Sequence, residues 1–204
     1  MTKQDIITIV EGFGSDSLAV FGGKFEGGKH ILQIPDEIAG CLYDIMKDKP
    51  SIKNWMEIGV AAGGNTYLFN YFFNFENLVL LDDNQHEKQH LRAEVIGDIK
   101  NIKQFIGNSH SAEAIEFVNS LNLKFDMIFI DGDHSNEGVK LDTDNFSPFL
   151  SINGYLMYHD TVLLPGPSAV VASLHTNPNY YHVGTYSSTI HIRPCGVSCF
   201  KKIK

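Results

Sequence analysis

Short apolar runs of strand length alternate with helical segments along most of this chain, and that order restricts the possible folds more than any other feature. The clearest runs cover 55–60, 78–81, 102–106, 125–130 and 155–158. Continuous apolar runs are typical of parallel strands that are buried on both faces. Strands that alternate with helices form a parallel sheet that helices cover on both sides. The sequence therefore predicts an α/β fold with a Rossmann-like, doubly wound and mainly parallel sheet.

The pattern changes beyond Pro167. A helical run at 169–174 precedes two β-rich stretches at 180–186 and 196–202. Only a short connection separates these two stretches, as is usual for antiparallel strands. We therefore expect an antiparallel strand pair at the C-terminal edge of the sheet.

The first 30 residues differ from the rest because they are rich in glycine. Glycines surround the phenylalanines here: Gly12, Gly14, Gly22, Gly23, Gly27 and Gly28 with Phe13, Phe21 and Phe25. This composition predicts a flexible lead-in that folds over a site, although a plain surface loop has the same signature. The chain contains no internal repeat or dividing linker, so residues 1–204 are expected to form a single domain.

Composition and charge exclude several classes of protein. The 204 residues are 43% hydrophobic and 20% charged, which is typical of a globular domain and not of a disordered chain. A net charge of −8 would repel phosphate backbones, so no nucleic acid is expected as a partner. No apolar run approaches the ~18–20 residues of a membrane span, and the three cysteines are too scattered for a disulfide framework. We therefore expect a cytoplasmic protein with no membrane partner; formation of a homo-oligomer is left open.

Three strand ends carry unusual chemistry, and ligands of doubly wound sheets bind beyond such ends. The first is segment 57–66 (Glu-Ile-Gly-Val-Ala-Ala-Gly-Gly-Asn-Thr), where a strand ends at Gly59 and a helix follows. Glycines let the backbone approach a ligand, and a helix start offers free N–H groups. The spacing is not that of dinucleotide binders, and Glu57 would repel a pyrophosphate. The segment favours a ligand with a cationic or hydroxyl-bearing part, with a structural tight turn as the alternative.

The second strand end is acidic. Asp82 and Asp83 follow the run 78–81, about 20 residues after the glycine turn. A carboxylate at this place can accept hydrogen bonds from both hydroxyl groups of a ribose. A solvated acidic loop is the alternative interpretation.

The third feature is a dense group of titratable side chains that follows two adjacent predicted strands. Its members are Asp131, Asp133, His134, His159 and Asp160. Carboxylates that cluster in a crevice need a cation, a proton or a hydrogen-bonding ligand. The group therefore indicates a functional site, although helix capping would by itself account for Asp133 or Thr161.

Together with segment 106–109 (Ile-Gly-Asn-Ser), these segments resemble the class I S-adenosylmethionine-dependent methyltransferases. The sequence is most similar to the small O-methyltransferase-like branch, which contains antibiotic-sugar, macrolide and catechol-type methyltransferases and cephalosporin-hydroxylase-like proteins. The similarity runs from about residue 30 to the C-terminus. The glycine motif is common to the whole class, whereas Ile-Asp-Gly-Asp-His followed about 25 residues later by His-Asp-Thr is more specific.

The resemblance implies S-adenosylmethionine as the cofactor and gives several residues a role in binding it. Glu57, Gly59 and Gly63 would surround its methionine end and ribose. Asp82 would hold the ribose hydroxyls, with Asp83 as the alternative. The residues beside the adenine would be Asn108 and Ser109, and Asp131 would lie near the methionine amine and the acceptor. Many relatives have Asp in place of Asn108, which leaves the contact with the adenine amine open.

The resemblance also raises the question of a metal ion. Metal-dependent relatives hold Mg²⁺ or another divalent cation with the Asp that ends the fourth strand and an acidic pair that ends the fifth. Asp131 and Asp160 match this pattern, but His159 replaces the first member of the pair. Imidazole is a softer ligand than Mg²⁺ usually takes, so a site of Asp131, Asp160 and His159 is left open. Without a metal, His159, or else His134, would act as the base.

The implied reaction is methyl transfer to a hydroxyl group of a small molecule or sugar. Two alternatives remain: a cofactor-binding protein that has lost catalysis, and a hydroxylase or decarboxylase built on the same scaffold. Cys195, Cys199 and His191 have a spacing that zinc could use, but a strand would also place both cysteines on one face.

Overall fold

A single sheet carries all the strand ends that the sequence marks as chemically unusual. In the computed structural model, which describes residues 1–48 and 51–204, the sheet has seven strands in the order β3-β2-β1-β4-β5-β7-β6. The strands are β1 (Asn54–Ile58), β2 (Asn77–Asp82), β3 (Ile102–Ile106), β4 (Phe125–Ile130), β5 (Leu150–Tyr158), β6 (Tyr180–Tyr186) and β7 (Val197–Lys202). Strands β1 to β5 are mutually parallel, and β7 runs antiparallel between β5 and β6. The predicted Rossmann-like sheet and its antiparallel C-terminal edge are confirmed.

Helices cover both faces of this sheet. They are α1 (Lys3–Phe13), α2 (Pro35–Lys47), α3 (Gly64–Phe73), α4 (Arg92–Ile96), α5 (Ala112–Ser120), α6 (Asn136–Phe146) and α7 (Pro165–His175). One apolar layer joins the sheet to α1 through α4, and a second joins it to α5, α6 and α7. Successive strand residues point to opposite layers, as Trp55 and Met56 do in β1. Both faces of the central strands are therefore buried, which explains their continuous apolar sequences.

Helix α1 lies where the sequence predicts a flexible lead-in, and the sequence analysis missed it. Thr2 and Asp5 form a reciprocal capping box at its start. Ile6 and Val10 are buried and pack in the same core as α2. The four-residue spacing of these two side chains is a helical signal that the neighbouring glycines obscured. The single-domain division of the chain and the flexibility of its first 30 residues stay predictions.

The order of the strands determines where a ligand site can lie. It reverses at β1, which has β2 on one side and β4 on the other. A crevice forms beyond the carboxyl ends of the strands at such a reversal. None of the helices in residues 1–48 and 51–204 combines the length and apolar character that crossing a membrane requires.

Trp55 anchors the core beneath this crevice. Its ring is fully buried, with ring centroids 4.6 Å from Phe69 and 5.4 Å from Phe75. Its Nε1 donates to Thr66 Oγ1 at 3.3 Å. We expect Trp55→Ala to lower the free energy of unfolding by about 3–5 kcal/mol, because it leaves a large cavity. Tyr181→Ala, at an exposed ring on β6, should change it by less than about 0.5 kcal/mol. Urea denaturation measures the free energy of unfolding of both variants. Equal losses in the two variants would contradict the role of Trp55 as an anchor of the core.

Candidate functional site

A cavity of about 360 Å³ opens beyond the carboxyl ends of β1, β4 and β5. We call it the first cavity. Its floor contains Glu57 from β1, Gly59 from the turn that follows and Asn65 from the start of α3. One wall carries Asp131, His134, His159 and Asp160, and segment 16–32 supplies another. The first and third of the strand-end features that the sequence marks thus meet at one place.

Glycine is required at position 59, where the end of β1 lies against the backbone of Asp131 at the end of β4. The φ angle of Gly59 is +80°, a value that residues other than glycine rarely adopt. A Cβ atom there would lie 2.1 Å from the carbonyl oxygen of Asp131. The glycine therefore lets the two strand ends come together. Gly63, the N-cap of α3, also has a left-handed conformation.

Asp82 holds the glycine turn in place. Its Oδ2 accepts hydrogen bonds from the backbone N–H groups of Val60 at 2.6 Å and Ala61 at 3.1 Å. Its Oδ1 accepts from Asn84 N at 2.7 Å and lies 2.8 Å from Arg92 Nη2. Burial raises the pKa of Asp82, but the guanidinium and these N–H groups outweigh it and hold the pKa below its ordinary value. Both carboxylate oxygens are thus engaged within the protein, and the ribose contact expected for Asp82 stays a prediction.

A second cavity, of about 410 Å³, adjoins the first at Gly59, which lines both. Asp83 lines it and is exposed, unlike Asp82. Asn108 and Ser109 line it as well, on the loop after β3. The structure therefore brings the alternative ribose residue and both expected adenine residues to one cavity.

The Asp131 carboxylate is the centre of the polar wall in the first cavity. Its Oδ1 lies 3.1 Å from His134 Nε2 and 3.3 Å from His159 Nδ1. Oδ2 of Asp160 lies 3.5 Å from each of the same two nitrogen atoms. Two carboxylates and two imidazoles therefore form one charged cluster. Asp133, the fifth member of the predicted group, accepts instead from Ser135 N at 2.9 Å beside the N-cap of α6.

His159 and Asp160 point to the same side because β5 has already ended. The strand stops at Tyr158, and Asp160 has a left-handed φ of +56°. The alternation of side chains along a strand no longer applies to these two residues. The sequence alone does not show this change in backbone direction.

Burial and charge compete within the cluster. Burial would lower the pKa of His159, but Asp131 and Asp160 outweigh it and the pKa lies well above the ordinary value. The hydrogen bond to Asp131 raises the pKa of His134. Burial raises the pKa of Asp131, yet the two imidazoles hold it below its usual range. The pKa of Asp160 is raised, mainly by burial. Asp131 is therefore the anion that the two histidines share.

Cys195 is a site residue that the sequence analysis did not place here. It is buried and lines the first cavity beside His159 and Asp160. Cys199 lies instead in β7, opposite Met157 of β5. Within residues 1–48 and 51–204, the metal-like set of Cys195, Cys199 and His191 does not come together.

The N-terminal segment closes another side of the first cavity. Asp16 Oδ1 lies 3.2 Å from His30 Nδ1 and 3.2 Å from Lys88 Nζ. Phe21 and Leu32 add apolar surface to the cavity. No local motif marks these residues, because they meet the site only through the tertiary fold.

Comparison with known proteins identifies the family. A family model described as a methyltransferase domain matches residues 56–161, more than half of the chain. The chain belongs to this methyltransferase family. The resemblance inferred from its strand-end motifs is confirmed. A search of the curated proteins finds no match.

Solved methyltransferases share the fold. The O-methyltransferase TomG of Streptomyces achromogenes, solved with S-adenosylmethionine, is 12% identical with a TM-score of 0.65, over 88% of this chain and 84% of its own. An O-methyltransferase of Bacillus cereus in complex with S-adenosylhomocysteine is 13% identical with a TM-score of 0.64, over 82% and 81%. The mycinamycin-pathway methyltransferase MycE, solved with Mg, S-adenosylhomocysteine and mycinamycin VI, is 19% identical with a TM-score of 0.58, over 85% of this chain and 50% of its own.

Glu57 is a buried acid at the floor of the first cavity. Its side chain accepts a hydrogen bond from Thr66 Oγ1. Burial raises the pKa of Glu57 to about 8, although the Thr66 hydroxyl acts in the opposite direction. The folded protein therefore keeps a proton that the unfolded chain loses near pH 4.5. Folding takes up this proton, so Glu57 makes the protein less stable as pH rises through this window.

We expect Glu57→Gln to remove this pH dependence. Relative to the variant, the wild type should lose up to about 1.4 kcal/mol of unfolding free energy per pH unit from about pH 5 to pH 8. Denaturant unfolding at each pH measures the difference. Glu116→Gln, at an exposed position on α5, is the matched control and should follow the wild type. Parallel profiles for wild type and Glu57→Gln would show that Glu57 is ionised throughout this range.

Proposed function

We propose that this methyltransferase transfers the methyl group of S-adenosylmethionine to a hydroxyl group of a small molecule or sugar. The observation that carries the proposal is the pair of adjoining cavities, one of which ends at the cluster of Asp131, His134, His159 and Asp160. An extended methyl donor that spans two connected cavities and meets its acceptor in one of them needs such an arrangement. The O-methyltransferases with the same fold support a hydroxyl acceptor.

The second cavity suits the adenosine part of the cofactor. Asp83 would accept hydrogen bonds from the ribose hydroxyls there, and Asn108 and Ser109 would lie beside the adenine. Past Gly59, the methionine part would enter the first cavity near Glu57 and Asn65. A sulfonium ion beside Glu57 favours the ionised form of a carboxyl group that burial otherwise keeps protonated.

His134 is the better placed of the two candidate bases. Its side chain is 37% exposed and lines the first cavity, whereas that of His159 is 5% exposed. Asp131 orients the His134 ring and stabilises its protonated form. We therefore place His134 first, although the sequence favoured His159. In its neutral form it would take the hydroxyl proton as the acceptor oxygen attacks the methyl carbon.

The donor set does not fit Mg²⁺, an ion that the resemblance to metal-dependent relatives left open. Mg²⁺ takes oxygen ligands in a strict geometry. Here an imidazole, His159, replaces the expected carboxylate, and Asp131 is already shared by two imidazoles. The proposed mechanism uses no Mg²⁺: the protein aligns acceptor and methyl donor, excludes water and removes a proton.

The activity test is a screen of hydroxyl-bearing compounds with S-adenosylmethionine. Phenols, catechols, sugars and macrolides are incubated with the full chain, and mass spectrometry detects S-adenosylhomocysteine and a product heavier by one CH₂ group. Tight cofactor binding without any methylated product would favour the non-catalytic alternative. A product with added oxygen or lost carbon dioxide would favour the hydroxylase or decarboxylase.

The ribose assignment predicts a loss of cofactor affinity in Asp83→Asn. We expect S-adenosylhomocysteine binding to weaken by about 1–3 kcal/mol, because the ribose hydroxyls lose a charged acceptor. The melting temperature without ligand should not change, since Asp83 is exposed. Calorimetry measures the affinity, with Asp98→Asn, an exposed turn position, as the control. If both variants bind like the wild type, Asp83 does not hold the ribose.

The base assignment predicts that His134→Asn lowers turnover by about 10²–10⁴ with cofactor affinity nearly intact. The measurement is product formation with an acceptor from the screen, together with calorimetry of S-adenosylhomocysteine. His86→Asn, another histidine at the first cavity, is the control and should keep most of the rate. A loss of less than tenfold in His134→Asn would remove His134 from the mechanism.

A further inference from the structure

Three buried side chains of different chemistry meet at the inner end of the first cavity. They are His159, Asp160 and Cys195, which are 4%, 8% and 4% exposed. One potential ligand atom from each lies within 4.8 Å of the other two. The mechanism proposed above leaves Cys195 without a role. A buried thiol, imidazole and carboxylate at this spacing have the composition of a metal-binding site.

The two nitrogen atoms of His159 have different surroundings. Nδ1 lies 3.3 Å from Asp131 Oδ1 and 3.5 Å from Asp160 Oδ2, whereas Nε2 is buried and has no nitrogen or oxygen partner in the described part of the chain. An unpartnered buried nitrogen is costly. Histidines that bind metal ions generally donate their other N–H to a carboxylate, which fixes the ring. Asp131 and His159 have this arrangement, with Nε2 left for an ion.

The backbone holds Cys195 against this pair. The Cys195 carbonyl oxygen accepts from the N–H groups of Val162 at 3.0 Å and Leu163 at 3.1 Å. The next residue, Gly196, donates its N–H to Glu37 Oε2 at 2.8 Å. Glu37 is buried on α2, and its other oxygen accepts from Ser188 N at 2.8 Å. The backbone that carries the thiol is therefore held by contacts from segment 162–163 and from α2.

We propose that His159, Asp160 and Cys195 form a binding site for Zn²⁺. Thiolate, imidazole and carboxylate are the three ligand types that zinc takes, and Mg²⁺ does not use thiolates. Three protein ligands leave a fourth position, which would face the first cavity, the arrangement of zinc sites that receive water or a substrate oxygen. The Cys195 thiol proton is released as sulfur binds the ion. The site shares His159 and Asp160 with the cluster of the first cavity, but zinc binding is measured without cofactor or acceptor, so its test is independent of the proposed methyl transfer.

The site differs from the one expected by resemblance. There, Asp131 would be a direct ligand; here it orients His159 and does not contact the ion. A sulfur-free group of Asp131, His134 and Asp160 also brings ligand atoms within 4.8 Å of one another. The presence of sulfur in the coordination sphere therefore decides between the two sites.

Co²⁺ is the probe for sulfur coordination, because it replaces Zn²⁺ and is coloured. The full-length chain is freed of metal with a chelator and titrated with CoCl₂ without cofactor. We expect intense visible bands of four-coordinate Co²⁺ and a near-ultraviolet sulfur-to-cobalt band, at one ion per chain. One equivalent of Zn²⁺ should abolish both, and a large excess of Mg²⁺ should leave them. No binding, displacement by Mg²⁺, or bands without the sulfur band would each overturn the proposal.

Variants identify the sulfur atom. Cys195→Ser should lose the sulfur band and bind Zn²⁺ at least tenfold more weakly, whereas Cys199→Ala, a buried cysteine in β7, should keep both properties. Circular dichroism checks that each variant is folded. Should Cys195→Ser not fold, anomalous scattering at the zinc edge from wild-type crystals locates the ion directly. An ion bound away from Cys195, or a sulfur band that persists in Cys195→Ser, would overturn the assignment.

Discussion

The site depends on one partly buried anion, the carboxylate of Asp131 at the end of β4, whose side chain is 15% exposed. Its Oδ1 lies within 3.3 Å of nitrogen atoms on both His134 and His159. A carboxylate removed from water is stable only with such partners. Replacing it would leave two imidazoles near Asp160 without the charge that orients them. The positions of the candidate base and of the buried histidine are thus consequences of a single side chain.

Two other carboxylates, which are buried, stabilise loops at the same edge of the sheet. Asp82 ties the glycine turn to the end of β2 through the N–H groups of Val60 and Ala61. Glu37 ties the loop before β7 to α2 through Ser188 and Gly196. Each carboxylate accepts several N–H groups, as burial requires. Hydrogen bonds within the protein therefore hold the loops that border the first cavity.

Local signals in the sequence predicted the sheet and most of the polar strand ends, because buried parallel strands and their last residues are contiguous in the chain. Contacts between residues that are far apart in the chain could not be predicted from such local signals. Asp82 and Asp83 look equivalent in sequence, and only the contact with Val60 and Arg92 separates a structural from an exposed carboxylate. Cys195 reaches His159 only because β7 is inserted between β5 and β6. The sequence contains a helical spacing within residues 3–13, but the glycines from Gly12 onward favour a loop instead.

The two cavities meet at Gly59, and this junction links the fold to the chemistry. A ligand that extends from Asp83 to His134 has to pass this residue, since it lines both cavities. A side chain there would meet the Asp131 carbonyl oxygen at 2.1 Å, and the end of β4 would have to move. Moving β4 would displace Asp131 and, with it, both histidines. The same glycine therefore lines the junction between the cavities and keeps the carboxylate beside its imidazoles, so that the proposed donor binding and the proposed proton removal share one constraint.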